Sequence, residues 1–214
     1  MPLRFGFASA VILITLLVGC GKKSSDRSGA GSAAPPPAAA AAPAESVLTP
    51  EVKPEAPAKP IEDVTRPGDT ITSIFPESPV AAERAEKAID NDPNTKFFNM
   101  GTDKDYAVPM TGVTGVIVSP SAGRTVVTGL ALTSGNDSPE RDPTSYRLEG
   151  SNDGTTYSPI AEGPVPAFNG REARQDILFT NLASFIMYRL TFPTIADATK
   201  AIAMQIAEIE LLGR

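Results

Sequence analysis

Ser145-Tyr146-Arg147-Leu148-Glu149-Gly150-Ser151-Asn152-Asp153-Gly154 decides the fold class. Its first six residues alternate in the period of two that a half-buried strand requires. The next four are a tight-turn signal, because Asn, Asp and Gly tolerate the backbone that a short hairpin imposes. A second apolar run, Tyr157 to Ala161, follows at once, so the segment reads as a hairpin.

Outward from this hairpin the pattern repeats. Val113 to Ser119, Val126 to Thr133, Asp176 to Thr180, Met187 to Phe192 and Gln205 to Leu212 are further candidate strands. Their spacing suits an antiparallel sandwich or barrel better than βαβ units. One helical candidate stands out, Val80 to Ile89, where Ala81, Ala85 and Ala88 recur at helical spacing; it is short and reads as a peripheral turn. No period of 20 to 50 residues repeats. Residues 68–214 therefore read as one all-β domain large enough for its own core.

Upstream the texture changes. Residues 21–67 hold 9 Pro and 11 Ala in 47 positions and no aromatic residue. Such a chain cannot bury enough apolar surface to offset its entropy, so residues 20–67 are expected to be a disordered linker. Its reach lies between roughly 40 Å as a coil and about 145 Å as polyproline. Before it, Arg4 precedes an apolar run from Phe5 to Val18 that ends in Leu17-Val18-Gly19-Cys20. At about fifteen residues the run is too short to span a bilayer comfortably and has the shape of a signal-peptide core. The final four residues resemble the bacterial lipobox. That resemblance implies cleavage after residue 19, acylation of Cys20, export, and, with Gly21 following the cysteine, an envelope protein lipid-anchored at the outer membrane. A membrane-spanning anchor with an incidental cysteine is the other reading.

Charge and composition remove several function classes. Residues 1–67 carry 7 Lys+Arg against 6 Asp+Glu, and residues 68–214 carry 12 against 19. The acidic C-terminal part repels a phosphate backbone, which argues against nucleic acid as a partner. The chain has no His and one Cys, so Ser-His-Asp and Cys-His catalysis, His-ligated zinc and an internal disulfide have no residues to use. Nucleophile-elbow and nucleotide-phosphate motifs are missing too. A carboxylate-pair glycosidase needs two acids roughly 5 to 10 Å apart in a cleft, which a small sandwich seldom offers. The expectation is a binding protein and not an enzyme.

Asp90-Asn91-Asp92-Pro93-Asn94-Thr95 sets oxygen-bearing side chains at alternating positions, as a loop around a hard cation does. It is not an EF-hand: Thr95 stands where that loop has Gly, and Gly101 where it has the bidentate Glu. A remote ligand is needed, and Glu208 or Glu210 can supply it, on the strand face opposite Ile209 and Leu211. The same Asp-Asn-Asp-Pro-Asn run also suits a solvated turn.

Lys87 to Phe97, Arg141 to Gly154 and Gln205 to Leu211 together resemble the discoidin, or coagulation-factor F5/8 type C, superfamily, whose bacterial members include galactose-binding-like carbohydrate modules. The resemblance covers residues 68–214 in order. It implies an eight-stranded antiparallel jelly-roll β-sandwich and a structural Ca²⁺ site on the carbonyls of Lys87 and Ala207 and the side chains of Asp90, Asp92, Thr95 and Glu208. It also implies a ligand held on loops at one end of the sandwich. There Asn136, Glu140 and Arg141 are the candidate polar contacts, and Arg141 has an intradomain ion pair with Glu140, Asp142 or another acid as its other reading. Phe168 is the candidate aromatic platform, since the chain has no Trp and Phe97 and Phe98 are expected in the core. The function implied is a non-catalytic envelope lipoprotein that binds a glycan; the competing reading is a module that docks to envelope proteins without binding sugar.

Overall fold

The computed structural model describes residues 59–102 and 110–214, which fall in a single compact unit. Eleven strands run in the order β1 (Glu62–Asp63), β2 (Thr70–Ser73), β3 (Phe97–Asn99), β4 (Thr114–Ser119), β5 (Val127–Thr133), β6 (Ser145–Ser151), β7 (Ser158–Pro164), β8 (Arg174–Leu178), β9 (Met187–Phe192), β10 (Met204–Ile206) and β11 (Glu208–Gly213). They form a four-stranded sheet β1-β11-β5-β8, a five-stranded sheet β2-β4-β9-β6-β7 and a small pair β10-β3, antiparallel throughout. This is an all-β sandwich: the seven candidate strands all form, the last of them split into β10 and β11, and β1, β2 and β3 are added to them. Cys20 and residues 1–58 lie outside the described residues.

The core lies between the two large sheets. Leu130 and Leu132 from β5, Ile209 and Leu211 from β11, Val116 and Val118 from β4, Leu148 from β6, and Tyr188, Leu190 and Phe192 from β9 are buried in one cluster. Each such side chain contributes about 1.5–3 kcal/mol of burial free energy. Alternation breaks on β5, where Ala131 is buried although it faces outward. Ala131 pairs with Asp176 on one side and Glu210 on the other, and an ion pair from Arg174 to Glu210 spans the strand there.

The structure refines three expectations. The folded part begins before Gly68: Glu62 and Asp63 pair with Gly213 and Leu212, the Val64 amide donates to the Leu211 carbonyl at 2.8 Å, and Val64 and Thr65 are buried. Val80 to Ile89 is turn, as its shortness suggested, and not one continuous helix. It forms two 3₁₀ turns, Ala81–Glu83 and Ala85–Ala88, separated by Arg84 with an extended ψ of 170°. The Glu77 carboxylate accepts the Ala85 amide at 2.7 Å and starts the second turn separately. The last strand is split at Ala207, so Met204–Ile206 pairs with β3 and Glu208–Gly213 pairs with β5.

Strand directions give the sandwich two poles. The connections β5–β6, β7–β8 and β9–β10 lie at one pole, and Lys59, the β4–β5, β6–β7 and β8–β9 connections and Arg214 lie at the other. Among the described residues, no helix is long and apolar enough to cross a membrane.

Candidate functional site

The loop Asp90 to Thr95 joins the second 3₁₀ turn to β3. Asn91 adopts a left-handed φ of 59°, which Asn tolerates better than most residues and which turns the loop back on itself. The Thr95 hydroxyl then sits among four oxygens: Asp90 Oδ1 at 2.9 Å, Asp90 Oδ2 at 3.1 Å, the Asp92 carbonyl at 3.1 Å and the Lys87 carbonyl at 3.4 Å. One hydroxyl has one proton to give, so this is a convergence of acceptors short of positive charge.

Glu208, only 6% exposed, sits near it. Both of its carboxylate oxygens are buried without a hydrogen-bond partner. Burial, and then the neighbouring Asp90 charge, push its carboxyl up to about 8. The split of the last strand places it there: the Ala207 amide donates to the Thr133 carbonyl at 2.8 Å, and Glu208 pairs with Thr133. Lys87 Nζ, 2.9 Å from Asp90 Oδ2, supplies one positive charge for these two acids.

The oxygens of Lys87, Asp90, Asp92, Thr95 and Glu208, with Ala207 beside them in the chain, could hold a hard divalent cation, and the unpartnered Glu208 carboxylate fits one. The contribution of Asp92 differs from expectation. Its Oδ1 accepts from the Asn94 amide at 3.0 Å and from Asn94 Nδ2 at 2.8 Å, so the side chain turns out toward solvent and the main-chain carbonyl faces Thr95. Accordingly, no group of three or more acidic, His or Cys side chains converges anywhere among the described residues.

The candidate ligand residues do not form one site. Asn136 Oδ1 accepts from Lys96 Nζ at 3.1 Å. Arg141 lies over the Phe98 ring, 5.1 Å from its centroid, and reaches Gln205 Oε1 at 3.4 Å and Asp137 Oδ1 at 3.9 Å. Its guanidinium is thus folded into the loop, held by an aromatic ring and by Gln205, which is fully buried and also donates to the Asp137 and Ser138 carbonyls. The acid that Arg141 meets within the domain is thus Asp137, and neither Glu140 nor Asp142; the Glu140 carbonyl accepts the Asp197 amide at 2.9 Å. Phe97 and Phe98 are both buried, as expected.

Phe168 lies elsewhere at this pole. It packs half-buried against the core and lines an open hollow of about 270 Å³ with Pro139, Pro143, Thr144, Val165, Ala167 and Ala196. The charged groups there are Asp142 and Arg171, joined by two hydrogen bonds, one of 2.8 Å from Arg171 Nη1 to Asp142 Oδ1. Burial raises the Asp142 carboxyl despite the opposing pull of Arg171. The hollow therefore has an apolar floor and a planar guanidinium–carboxylate pair at its side. Arg171 was not legible in the sequence as a site residue, because its pairing with an acid 29 residues away depends on two loops meeting.

No protein-family model matches the chain, and no curated protein sequence matches it. Solved structures do. CpGH89CBM32-5 from Clostridium perfringens, solved with GalNAc-β-1,3-galactose, superposes with a TM-score of 0.56 at 17% identity, over 70% of this chain and 98% of that one. The family 32 carbohydrate-binding module of C. perfringens NanJ, solved with galactose, gives 0.53 at 16% identity, over 68% and 93%. CBM32-3 from a family 31 glycoside hydrolase of the same organism gives 0.55 at 16% identity, over 72% and 95%. The fold is thus the discoidin-like, galactose-binding-like sandwich that the three sequence motifs resemble.

Proposed function

We propose that the domain is a non-catalytic glycan-binding module, carried on a lipid-anchored bacterial envelope protein and stapled by one structural Ca²⁺. The observation that carries the glycan reading is the hollow around Phe168 and Arg171. An aromatic ring in an apolar floor suits the C–H face of a pyranose, and a fixed guanidinium beside a carboxylate offers both donors and acceptors to ring hydroxyls. The fold neighbours solved with galactose and with GalNAc-β-1,3-galactose support a sugar of that class.

Calcium would be held by the carbonyls of Lys87, Asp92 and Ala207, the Thr95 hydroxyl and the carboxylates of Asp90 and Glu208. It would neutralise a buried charge and tie the start of the domain to its last strand. The lipobox-like Leu17-Val18-Gly19-Cys20 supports the anchor. With the chain entering at the opposite pole, the hollow faces away from the tether.

Titration of the isotope-labelled chain with galactose tests the glycan reading. Amide shifts confined to the Pro139–Pro143, Val165–Arg171 and Ala196 segments are expected. Shifts spread over other surfaces, or none at saturating sugar, would remove galactose-type binding at this hollow.

A further inference from the structure

Of the seven asparagines in the described residues, five have side chains held by hydrogen bonds. Asn94 and Asn99 donate to Asp92 and Ser73, and Asn136 accepts from Lys96. Asn152 bridges Arg124 and the Ser184 carbonyl, and Asn181 bonds the Val127 and Ala183 carbonyls. The Asn91 side chain is unheld, but the amide that follows it is engaged: the Asp92 N–H donates to Asp90 Oδ1 at 3.2 Å. Asn169 differs on both counts. Its exposed side chain makes no hydrogen bond among the described residues, and the Gly170 amide that follows it donates to none.

Gly170 has a left-handed φ of 123° and open space where a Cβ would stand, so neither a side chain nor a neighbour blocks that side of the residue. Asp153-Gly154 has the same small successor in the opposite state. There the Gly154 amide donates to Ser151 Oγ at 2.9 Å, and Asp153 Oδ1 is pinned by the amides of Thr155 and Thr156. Asn169 and Gly170 stand between Phe168 and Arg171, both of which line the hollow.

We propose that Asn169 deamidates spontaneously, through a succinimide closed on the Gly170 nitrogen, and that the isoaspartate so formed alters the hollow beside it. The Gly170 amide gives its proton to hydroxide and its nitrogen bonds to Asn169 Cγ. The bond from Cγ to Nδ2 then breaks, and Nδ2 leaves as ammonia with a proton from water. Water opens the cyclic imide at either carbonyl, leaving aspartate or, with the main chain routed through Cγ, isoaspartate. Both products add a negative charge two residues from Arg171, whose guanidinium already serves Asp142. Isoaspartate also adds one main-chain atom between two fixed points: Phe168 packs on the core, and the Gly170 carbonyl accepts from Ser134 Oγ at 3.2 Å. Ser134 is fully buried and is itself held by the Ala173 amide, which donates to its Oγ at 3.1 Å. The rim of the hollow therefore takes up the extra length. The reaction does not depend on whether the hollow binds sugar, and it is read without any glycan.

The chain from Gly21 onward contains every element and core residue described. It is kept folded at mildly alkaline and at mildly acidic pH and digested with trypsin at intervals, with a sample at time zero to subtract conversion during digestion. Cleavage after Arg147 and Arg171 yields residues 148–171, which carry Asn152, Asp153 and Asn169 together. Fragment masses are expected to show NH2 exchanged for OH at Asn169 and not at Asn152, faster at the alkaline pH, with isoaspartate as the larger product. Asn169→Gln should abolish the change. The more acidic fraction, separated by ion exchange, should show shifted amide resonances for Phe168 and Arg171. Asn169 intact when a synthetic peptide of residues 165–171 has converted, or Asn152 converting as fast, would overturn the proposal. So would a converted fraction in which the Phe168 and Arg171 resonances have not moved.

Discussion

Glu208→Gln should change the sign of its effect with calcium. Without the ion, Glu208 is a buried carboxylate with no hydrogen-bond partner beside Asp90, and its carboxyl sits at about 8 against 4.5 for an ordinary glutamate. A raised carboxyl pKa means that the folded state binds more protons than the unfolded state between those values. Stability of the calcium-free domain therefore falls as pH rises through that window. At about 1.4 kcal/mol per pH unit, the loss by neutral pH is about 3 kcal/mol, or roughly 6–12 °C for a domain of this size. Glutamine has no charge to bury, and its amide can donate to Asp90. In EDTA the variant should melt above wild type at about pH 8 and match it more closely at about pH 5. With calcium, wild type gains about 2.7 kcal/mol at a hundredfold excess over its dissociation constant, and the variant, short of one carboxylate, gains less. Thermal unfolding of both proteins at both pH values, in EDTA and in calcium, separates the cases. A variant that destabilises equally in EDTA and in calcium would refute the reasoning, and would leave Asp90 to Thr95 as a solvated turn.

Three further outcomes follow from the geometry. Arg141→Ala removes the cation over Phe98 and the contact with Gln205, so it should lower stability by about 1 kcal/mol in thermal unfolding while sparing any sugar affinity. Gly150→Ala would place a Cβ 2.2 Å from the Phe185 ring, a clash with a buried side chain, and should cost about 1–3 kcal/mol by denaturant titration. Cys20→Ser should leave the precursor uncleaved and unacylated, read by mass spectrometry of the membrane fraction; a variant processed like wild type would dismiss the lipobox.

The sandwich was legible because its long strands alternate and end in turn residues. Met187–Phe192 matches its expected bounds, and Ser145–Ser151 is one residue longer than expected. What escaped was short or owed its form to partners far along the chain. Phe97–Asn99 is fully buried and shows no alternation, and Glu62–Asp63 exists only because β11 offers an edge. The Ala-rich run looked helical because periodicity is blind to a side chain such as Glu77 capturing an amide eight residues away. At the cation loop the residue types were readable, whereas the choice between the Asp92 carboxylate and its carbonyl depends on Asn94. Among the loop residues, Arg141 attracted notice as the arginine beside acids. The guanidinium that meets an apolar hollow is Arg171, brought there by the meeting of the β5–β6 and β7–β8 connections.

The central claim, that the hollow binds sugar, is tested most directly on a glycan array with the purified chain from Gly21 onward and its Phe168→Ala variant. Wild type should retain a related set of glycans, the variant should lose them, and both should melt within a few degrees of each other. An array on which wild type retains nothing, or on which both proteins retain the same glycans, would contradict the account.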